Sequence, residues 1–402
     1  MNAHLNNVTE VSKKPKRFFT LEKVLATLIG IIVSVLLLEG SLRILEKVSE
    51  SSTLVPAQTT LTKHFDHTLG MLYDPNQSGW FYSQSGEYKT FASFSSYGWH
   101  DTEHLKEKPE NVYRIVIIGD SFVESLQVPL ENTFFRVLEQ KLNDTSNQKV
   151  EIIALGLSDT GPAQQLEILR TIGLSYNPDL VMQMFLTAND IRNSSPQIQY
   201  NNMLPYYTLS SDGSLALIPP SESLSHTNSP SLNSLRIVRL IKKARYNYHL
   251  YKQSAMQDDY HIDLHVYDET YSDLYTNGWN LTEKIIVETK RLTESAGSDY
   301  ILVTLANNEQ LNDEVWNYYL AHNPAMREAQ LDREKPEKIV NELCQRHSIS
   351  CAFMLPSFKE YIRKTGNITH FPFDGHWNET GHVVAADFLY DTITKYRSKN
   401  SN

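Results

Sequence analysis

The sequence predicts an α/β protein whose parallel sheet is covered by helices on both faces. Buried β-branched runs such as residues 115–118 alternate along the chain with segments whose apolar residues recur at helical spacing. Unbroken apolar runs are typical of strands that are buried on both faces. Their alternation with helices is typical of a parallel sheet.

Composition narrows the classes of function that are compatible with the chain. It has 402 residues, of which 41% are hydrophobic and 21% charged, so it can bury a substantial core and form two or three structural units. The net charge of −10 argues against a surface that binds nucleic acid. Cys344 and Cys351 form no metal-binding pattern, and they either bridge in an oxidising compartment or are buried thiols.

The first 45 residues predict a membrane anchor. Residues 1–17 are polar and end in a basic cluster at 13–17, and residues 18–45 are apolar enough for a transmembrane helix. The basic cluster predicts a cytoplasmic N-terminus and an extracytoplasmic body. A cleaved signal peptide is the alternative, but the helical pattern continues through 39–45 without a clean small-x-small site. A surface helix is disfavoured because the segment lacks a polar face.

Residues 46–110 are interpreted as a linker followed by an N-terminal extension. Turn-forming residues and the aromatic run 80–82 predict turns and short strands that pack on the main domain. The compact segment 96–101 has two interpretations: a loop held on the core by Trp99, or a wall of the substrate cleft.

Residues 111–396 are expected to form the main domain. Strands are predicted at 115–118, 150–155, 180–186, 300–305 and 350–355. Helices are predicted at 131–142, 164–172, 282–295, 336–347 and 382–396. Residues 194–278 interrupt this alternation and are interpreted as an insertion that covers the crevice or is partly disordered at 221–234. Its basic segment, 235–245, is either solvated or lies against anionic lipid or an acidic glycan.

Polar side chains follow the predicted strands where those strands end. Because the carboxyl ends of parallel strands meet at one edge, Ser121, Asn189 and His376 are expected to converge there. A Ser becomes a nucleophile when a His removes its proton, and Asp374 lies two residues before His376, where it could fix the imidazole tautomer. The backbone near Ser121 and Asp159, with the Asn189 amide, could bind an oxyanion. On residues 113–122 alone, a strand followed by a helix cap is the competing interpretation.

These segments, in this order, resemble the blocks of the SGNH (GDSL-type) hydrolase superfamily. Gly-Asp-Ser-Phe at 119–122 matches the first block and Asn-Asp at 189–190 the third, although Thr187 and Ala188 replace the family's usual Gly. The family commonly places Asp three residues before His, whereas Asp374 precedes His376 by two. This Asp-x-His-Trp form resembles the membrane-anchored branch that contains bacterial exopolysaccharide O-acetyltransferases.

The second block departs from the family pattern. Its oxyanion Gly falls on Asp159, whose backbone N–H would serve, with Gly156 and Gly161 as the alternative donors. The resemblance implies a flavodoxin-like α/β/α fold and ester chemistry. His382 is a rival base, whereas His370 and His100 are expected to be solvated or structural.

The sequence and the resemblance together predict a membrane-anchored extracytoplasmic serine esterase. Its expected substrate is an acylated small molecule or a cell-envelope glycan, and its contact with lipid is through the anchor. One alternative is a polysaccharide O-acetyltransferase, which needs an acyl donor, delivered by a membrane partner. The other is a non-catalytic glycan-binding or assembly protein. No cofactor or metal is implied, since no phosphate-binding Gly-rich loop or His/Cys/Asp cluster occurs.

Overall fold

The structure is a computed structural model of the whole chain. It describes residues 21–48, 59–83, 85–222, 235–238, 240–242, 244–245 and 260–400. The chain divides into two compact units: residues 1–55 with 230–245, and residues 56–229 with 246–402. The basic cluster at 13–17 and the segment 223–234 lie outside the described residues.

The first unit contains one long apolar helix, α1, at Leu21–Val48. Within it, Glu22–Leu45 is long and apolar enough to cross a membrane, and nearly all of its described side chains are exposed. At 1.5 Å per residue its 24 residues extend for about 36 Å, which exceeds the roughly 30 Å of a bilayer core. The chain therefore carries one candidate span in its described part.

The second unit is organised around a five-stranded sheet in which every neighbouring pair is parallel. Its strands are β5 at Val112–Gly119, β6 at Lys149–Gly156, β7 at Leu180–Phe185, β10 at Asp299–Thr304 and β11 at Ser350–Phe353. The order across the sheet is β11-β10-β7-β5-β6. This is the doubly wound order of flavodoxin-like folds, in which the connections change direction between the first and third strands, here β5 and β7.

Helices cover both faces of this sheet. On one face pack α3 at Phe134–Thr145, α11 at Leu355–Thr365 and α12 at Glu379–Asn400. On the other pack α4 at Pro162–Thr171, α6 at Asp273–Ser295 and α10 at Lys335–His347. Side chains 115–118 are fully buried and point alternately into the two cores, and each contributes about 1.5–3 kcal/mol of hydrophobic free energy. The predicted three-layer α/β/α architecture is confirmed.

The remaining elements lie at the ends of the sheet and beside it. Four short helices are α2 at Ser121–Glu124, α5 at Asp190–Ser194, α7 at Asn308–Leu311 and α9 at Pro324–Glu328, and α8 spans Asp313–His322. Three antiparallel hairpins are formed by β1 at Lys63–Asp66 with β2 at Gly70–Tyr73, β3 at Ser78–Tyr82 with β4 at Lys89–Ser93, and β8 at Tyr206–Leu209 with β9 at Leu215–Ile218. The short strands predicted in the N-terminal extension are therefore present.

The segment interpreted as an insertion is shorter than predicted and is partly structured. Helix α6 begins at Asp273, nine residues before the predicted start at 282, because Ser272 caps it and Tyr275 and Trp279 continue its buried face. Hairpin β8–β9 packs on α4 through Tyr207, which is buried. Residues 194–222 and 260–278 of this segment thus belong to the second unit, whereas its described residues between 235 and 245 belong to the first.

Cys344 and Cys351 form a disulfide, with their Cα atoms 6.3 Å apart. It joins the end of α10 to the beginning of β11. Of the two alternatives that the sequence left open, the structure contains the bridge. Such a bridge is typical of proteins in an oxidising compartment.

Candidate active site

Ser121 lies just beyond the carboxyl end of strand β5, next to the central strand β7. Strand β5 ends at Gly119, Asp120 caps the short helix α2, and Ser121 is the first residue of that helix. The Asp120 carboxylate accepts a hydrogen bond from the Phe122 N–H at 3.0 Å. Both interpretations of this stretch therefore hold: it is a helix cap, and it presents a hydroxyl group at the switch point between β5 and β7.

A continuous hydrogen-bond relay joins Ser121, His376 and Asp374. The Ser121 hydroxyl lies 2.7 Å from His376 Nε2, and His376 Nδ1 lies 2.6 Å from Asp374 Oδ1. With its proton on Nδ1, the imidazole donates to the carboxylate and accepts from the hydroxyl. Ser121 is 9% exposed, and the side chains of His376 and Asp374 are 25% and 19% exposed, so the relay is reachable from solvent.

The turn at residues 371–376 explains how an Asp and a His two residues apart meet. The Gly375 N–H donates to the Phe371 carbonyl at 2.9 Å, and the Phe371 N–H donates to the His376 carbonyl at 2.8 Å. Gly375 has a φ of +86°, in the left-handed region that favours glycine. This tight turn brings the Asp374 carboxylate beside the His376 ring.

Replacing Gly375 by Ala tests that turn. A Cβ at this position meets no atom within 4 Å, so the cost is conformational rather than steric. We expect Gly375→Ala to lower the free energy of unfolding by about 1–2 kcal/mol and ester turnover by roughly tenfold. Gly297→Ala is the matched control, since it also has a positive φ and open space but lies far along the chain in another turn. Equal loss of turnover in both variants would contradict the role of the turn.

The charges around His376 and Asp374 favour an ion pair between them when the imidazole is protonated. Burial by itself lowers the pKa of His376, but the hydrogen bond and the charge of Asp374, with the charges of Asp120 and Glu124, raise it above the ordinary value of 6.5. Burial raises the pKa of Asp374, but its contacts with His376 outweigh this effect and lower it below 3.8. The carboxylate therefore stays ionised while the imidazole takes up a proton.

Two backbone N–H groups in the loops that follow β5 and β6 are free to bind an anion. Those of Ser121 and Asp159 have no acceptor within the parts of the chain that the structure describes. Gly161 is not available, because its N–H donates to Gln164 at 2.8 Å. Gly156 instead allows close packing, since a Cβ there would lie 2.0 Å from the Glu124 nitrogen.

Asp159 can present its N–H without burying its carboxylate. Its φ of 61° is left-handed, and its side chain is exposed to solvent. The loop that contains it is held to α2, because Glu124 accepts hydrogen bonds from the Ser158 N–H at 3.1 Å and from the Ser158 hydroxyl. Strands β5 and β6 end in register at Gly119 and Gly156, so both loops leave the sheet at the same place.

Asn189 lies beside the residue that precedes Ser121. Its Nδ2 is 3.4 Å from Asp120 Oδ2, and it is the residue before helix α5, in the loop that follows β7. Burial raises the pKa of Asp120 to about 6. The structure therefore brings Ser121, Asn189 and the His376 turn to one edge of the sheet, as the sequence predicted.

The other histidines near the site are held in structural contacts. His382 accepts a hydrogen bond from the Phe134 N–H at 3.1 Å, and burial lowers its pKa to about 3. His370 donates to the Ala306 carbonyl at 3.1 Å, and its pKa is also lowered to about 3, chiefly by burial. His100 donates to the Glu124 carbonyl at 2.8 Å. These three histidines are buried and structural, not solvated. Among the described histidines, only His376 forms a hydrogen bond with Ser121.

The segment 96–101 is anchored on the core of the second unit. Trp99 is 3% exposed, and the Asp101 carboxylate accepts a hydrogen bond from the Ala154 N–H at 2.8 Å. These contacts support the interpretation as a loop held on the core.

Sequence reasoning missed two residues that touch the relay. Tyr88 donates a hydrogen bond to Asp374 Oδ2 at 2.9 Å, and Glu87 accepts from the N–H groups of Phe373 and Asp374. They lie 286 residues before their partners, and a single sequence carries no signal for contacts at that distance. Among the described residues, no group of three or more His, Cys, Asp or Glu side chains could hold a metal ion.

Comparison with known proteins gives a consistent class of neighbours. No protein-family model and no curated protein matches the sequence. Among solved structures, the acetyl xylan esterase AlAXEase is 12% identical with a TM-score of 0.38, and the alignment covers 70% of this chain and 99% of the esterase. A lipolytic G-D-S-L family protein from Veillonella parvula is 12% identical with a TM-score of 0.36, covering 70% and 98%. The esterase EstA from Pseudoalteromonas sp. is 10% identical with a TM-score of 0.37, covering 72% and 100%.

These neighbours are esterases and lipolytic proteins, the class that the sequence blocks resemble. Their low identities and TM-scores leave the interpretation of the site to its own geometry.

Proposed function

We propose that this chain is a membrane-anchored serine esterase of the SGNH type, with Ser121 as nucleophile, His376 as general base and Asp374 as the residue that orients it. The observation that supports this most directly is the relay of 2.7 Å and 2.6 Å contacts at the carboxyl edge of the sheet. A relay of this kind is a recurrent solution for acyl transfer on unrelated folds.

The reaction proceeds in two steps, acylation of Ser121 and deacylation. Ser121 Oγ attacks the ester carbonyl while its proton moves to His376 Nε2, and the tetrahedral oxyanion is held by the N–H groups of Ser121 and Asp159 and by the Asn189 amide. The intermediate collapses to an acyl-serine, and the departing alcohol takes the proton from His376. Water or a sugar hydroxyl then attacks the acyl-serine, gives its proton to His376, and releases acid or a new ester as Ser121 regains its hydrogen.

The N-terminal segments and the disulfide indicate the cellular setting. Residues 1–17 form a cytoplasmic tail, 18–45 the anchor and 46–110 an extension before the catalytic domain, 111–396. The candidate span in α1 and the basic cluster at 13–17 support this orientation, and the Cys344–Cys351 bridge supports an oxidising compartment. We therefore infer an acyl ester on a cell-envelope glycan as the substrate class.

Purified full-length chain in detergent micelles should hydrolyse a small aryl acetate and release acetate and phenol in equal amounts. The product should be acetate when water is the only acceptor. Addition of an oligosaccharide tests the transferase alternative. If acetylated sugar forms and the yield of acetate falls, the proposed reaction becomes O-acetyl transfer. A membrane partner would then be the natural source of the acyl group. Folded chain that turns over no ester in either arm would overturn the proposal in favour of a glycan-binding or assembly role.

A further inference from the structure

The β3–β4 hairpin reaches the catalytic turn from the N-terminal extension. Its connecting segment carries Tyr88 and Glu87, and both side chains contact the turn that bears Asp374. Resting on the proposed esterase function, we infer that Tyr88 and Glu87 are positioning residues that fix the Asp374 carboxylate against His376.

Tyr88 binds the Asp374 carboxylate oxygen that His376 does not contact. Its hydroxyl donates to Asp374 Oδ2 at 2.9 Å, while His376 Nδ1 binds Asp374 Oδ1 at 2.6 Å. With both oxygens engaged by different donors, the carboxylate group cannot rotate without losing a hydrogen bond. Hydrogen bonds to charged groups are the stronger ones in proteins, so this contact should hold the orientation firmly.

The Tyr88 ring is fixed by its aromatic neighbours. It stacks on Phe81 with ring centroids 5.9 Å apart and packs on Phe371 at 5.0 Å. Burial, together with the negative charge of Asp374, raises the pKa of Tyr88, which keeps its hydroxyl protonated as a donor. Phe371 also closes the backbone turn around Gly375, so the aromatic contact links the hairpin to the turn itself.

Glu87 holds the backbone of the same turn. Its carboxylate accepts from the Phe373 N–H at 2.9 Å and from the Asp374 N–H at 2.8 Å, and the Ser85 hydroxyl donates to it at 2.5 Å. These three donors stabilise the Glu87 carboxylate, which is partly buried and lies close to the Asp374 backbone.

The hairpin is also fastened to the segment that follows Ser121. The Thr90 hydroxyl, which is buried, donates to the Gln127 carbonyl at 3.0 Å. The hairpin thus contacts both the chain that follows the nucleophile and the turn that carries the base and its carboxylate. A structural element outside the sheet therefore contacts both segments that carry the proposed catalytic residues.

Tyr88→Phe tests the inference by removing one hydroxyl group and keeping the ring. We expect kcat for an aryl acetate to fall about tenfold with KM changed less than about twofold, since Asp374 loses a donor that substrate does not touch. The Tyr88 hydroxyl stabilises the Asp374 carboxylate and lowers its pKa. Without this donor the carboxylate interacts more strongly with His376 and raises the pKa of the imidazole further. The acid limb of the pH profile should therefore move to higher pH. A merely structural role would lower the melting temperature without moving that limb.

Two further variants and one control complete the test. Glu87→Ala should reduce kcat about tenfold, and Glu87→Gln should reduce it less, because the Gln oxygen can still accept from the turn. Tyr318→Phe, which removes an exposed hydroxyl on α8, should match the unmodified chain. Unchanged kcat and pH profile in Tyr88→Phe would overturn the inference while Ser121→Ala remained inactive. Full activity in Ser121→Ala would instead overturn the proposed function.

Discussion

Ester turnover should fall by roughly 10⁴–10⁶-fold in Ser121→Ala, the largest effect expected of any single substitution in this chain. The Ser121 hydroxyl is the group that His376 Nε2 contacts at 2.7 Å, so Ala removes the nucleophile and leaves the base without a proton to take. Turnover of an aryl acetate by the purified variant measures the loss directly. The fold should survive, because Ser121 donates no other side-chain hydrogen bond in the described chain.

Two controls make this result specific. Ser295→Ala removes an exposed hydroxyl at the end of α6 and should leave turnover unchanged. An organophosphonate ester should add one phosphonyl group to the unmodified chain at Ser121, seen by peptide mass, and none to Ser121→Ala. Retention of more than a few per cent of the turnover, or a label on another residue, would contradict the assignment of the nucleophile.

Local patterns explain why the sheet could be predicted from the sequence. The runs at 115–118, 150–155 and 180–186 are mostly apolar, and each coincides with a strand of the structure within three residues at either end. Burial on both faces removes the need for alternating polarity, so the run itself is the signal. The rule that parallel strands end at one edge explains the position of Ser121 after β5. The turn with His376 reaches Ser121 differently from the prediction, because it follows helix α11 and not a strand of the sheet.

Tertiary contacts explain what could not be predicted. Helix α6 starts nine residues before the expected position, inside the segment 194–278, which the sequence predicts to be irregular and which ends in Gly278. In the structure this Gly lets the helix approach Ile198 and Ile191 closely, since a Cβ would lie 2.7 Å from the first. Helices α7–α9 and α11 were not predicted either, and α8 has no fully buried residue to mark a periodic face. Such segments are specified by neighbours that are distant in sequence.

The site shows the same division between local and distant information. The Asp374–His376 contact was expected from their spacing, and the left-handed Gly375 provides it. The donor on the second Asp374 oxygen, Tyr88, comes from a hairpin at the other end of the chain. Chemistry that depends on adjacent residues is readable in one sequence, whereas the residues that hold it in place are visible only in the fold.

Asp374→Asn should lower kcat roughly 10³–10⁴-fold and move the acid limb of the pH profile to lower pH. The carboxylate accepts from His376 Nδ1 at 2.6 Å, which leaves Nε2 free to receive the Ser121 proton. An Asn can turn its N–H₂ toward Nδ1, which would place the ring proton on Nε2, where it blocks the transfer. The hydrogen bond and charge of Asp374 raise the pKa of His376, so their loss lets that pKa fall.

The direction of the shift separates this variant from one that merely disturbs the turn. The imidazole acts as a base only when neutral, so activity appears as pH rises through the pKa of His376, and a lower pKa brings activity in at lower pH. The plateau must still fall, because the tautomer is wrong at every pH. Tyr88→Phe should move the same limb to higher pH. The two variants act on the same carboxylate group, and their shifts of the acid limb should have opposite directions. An Asp374→Asn limb that stays in place with an undiminished plateau would show that His376 is oriented by another group.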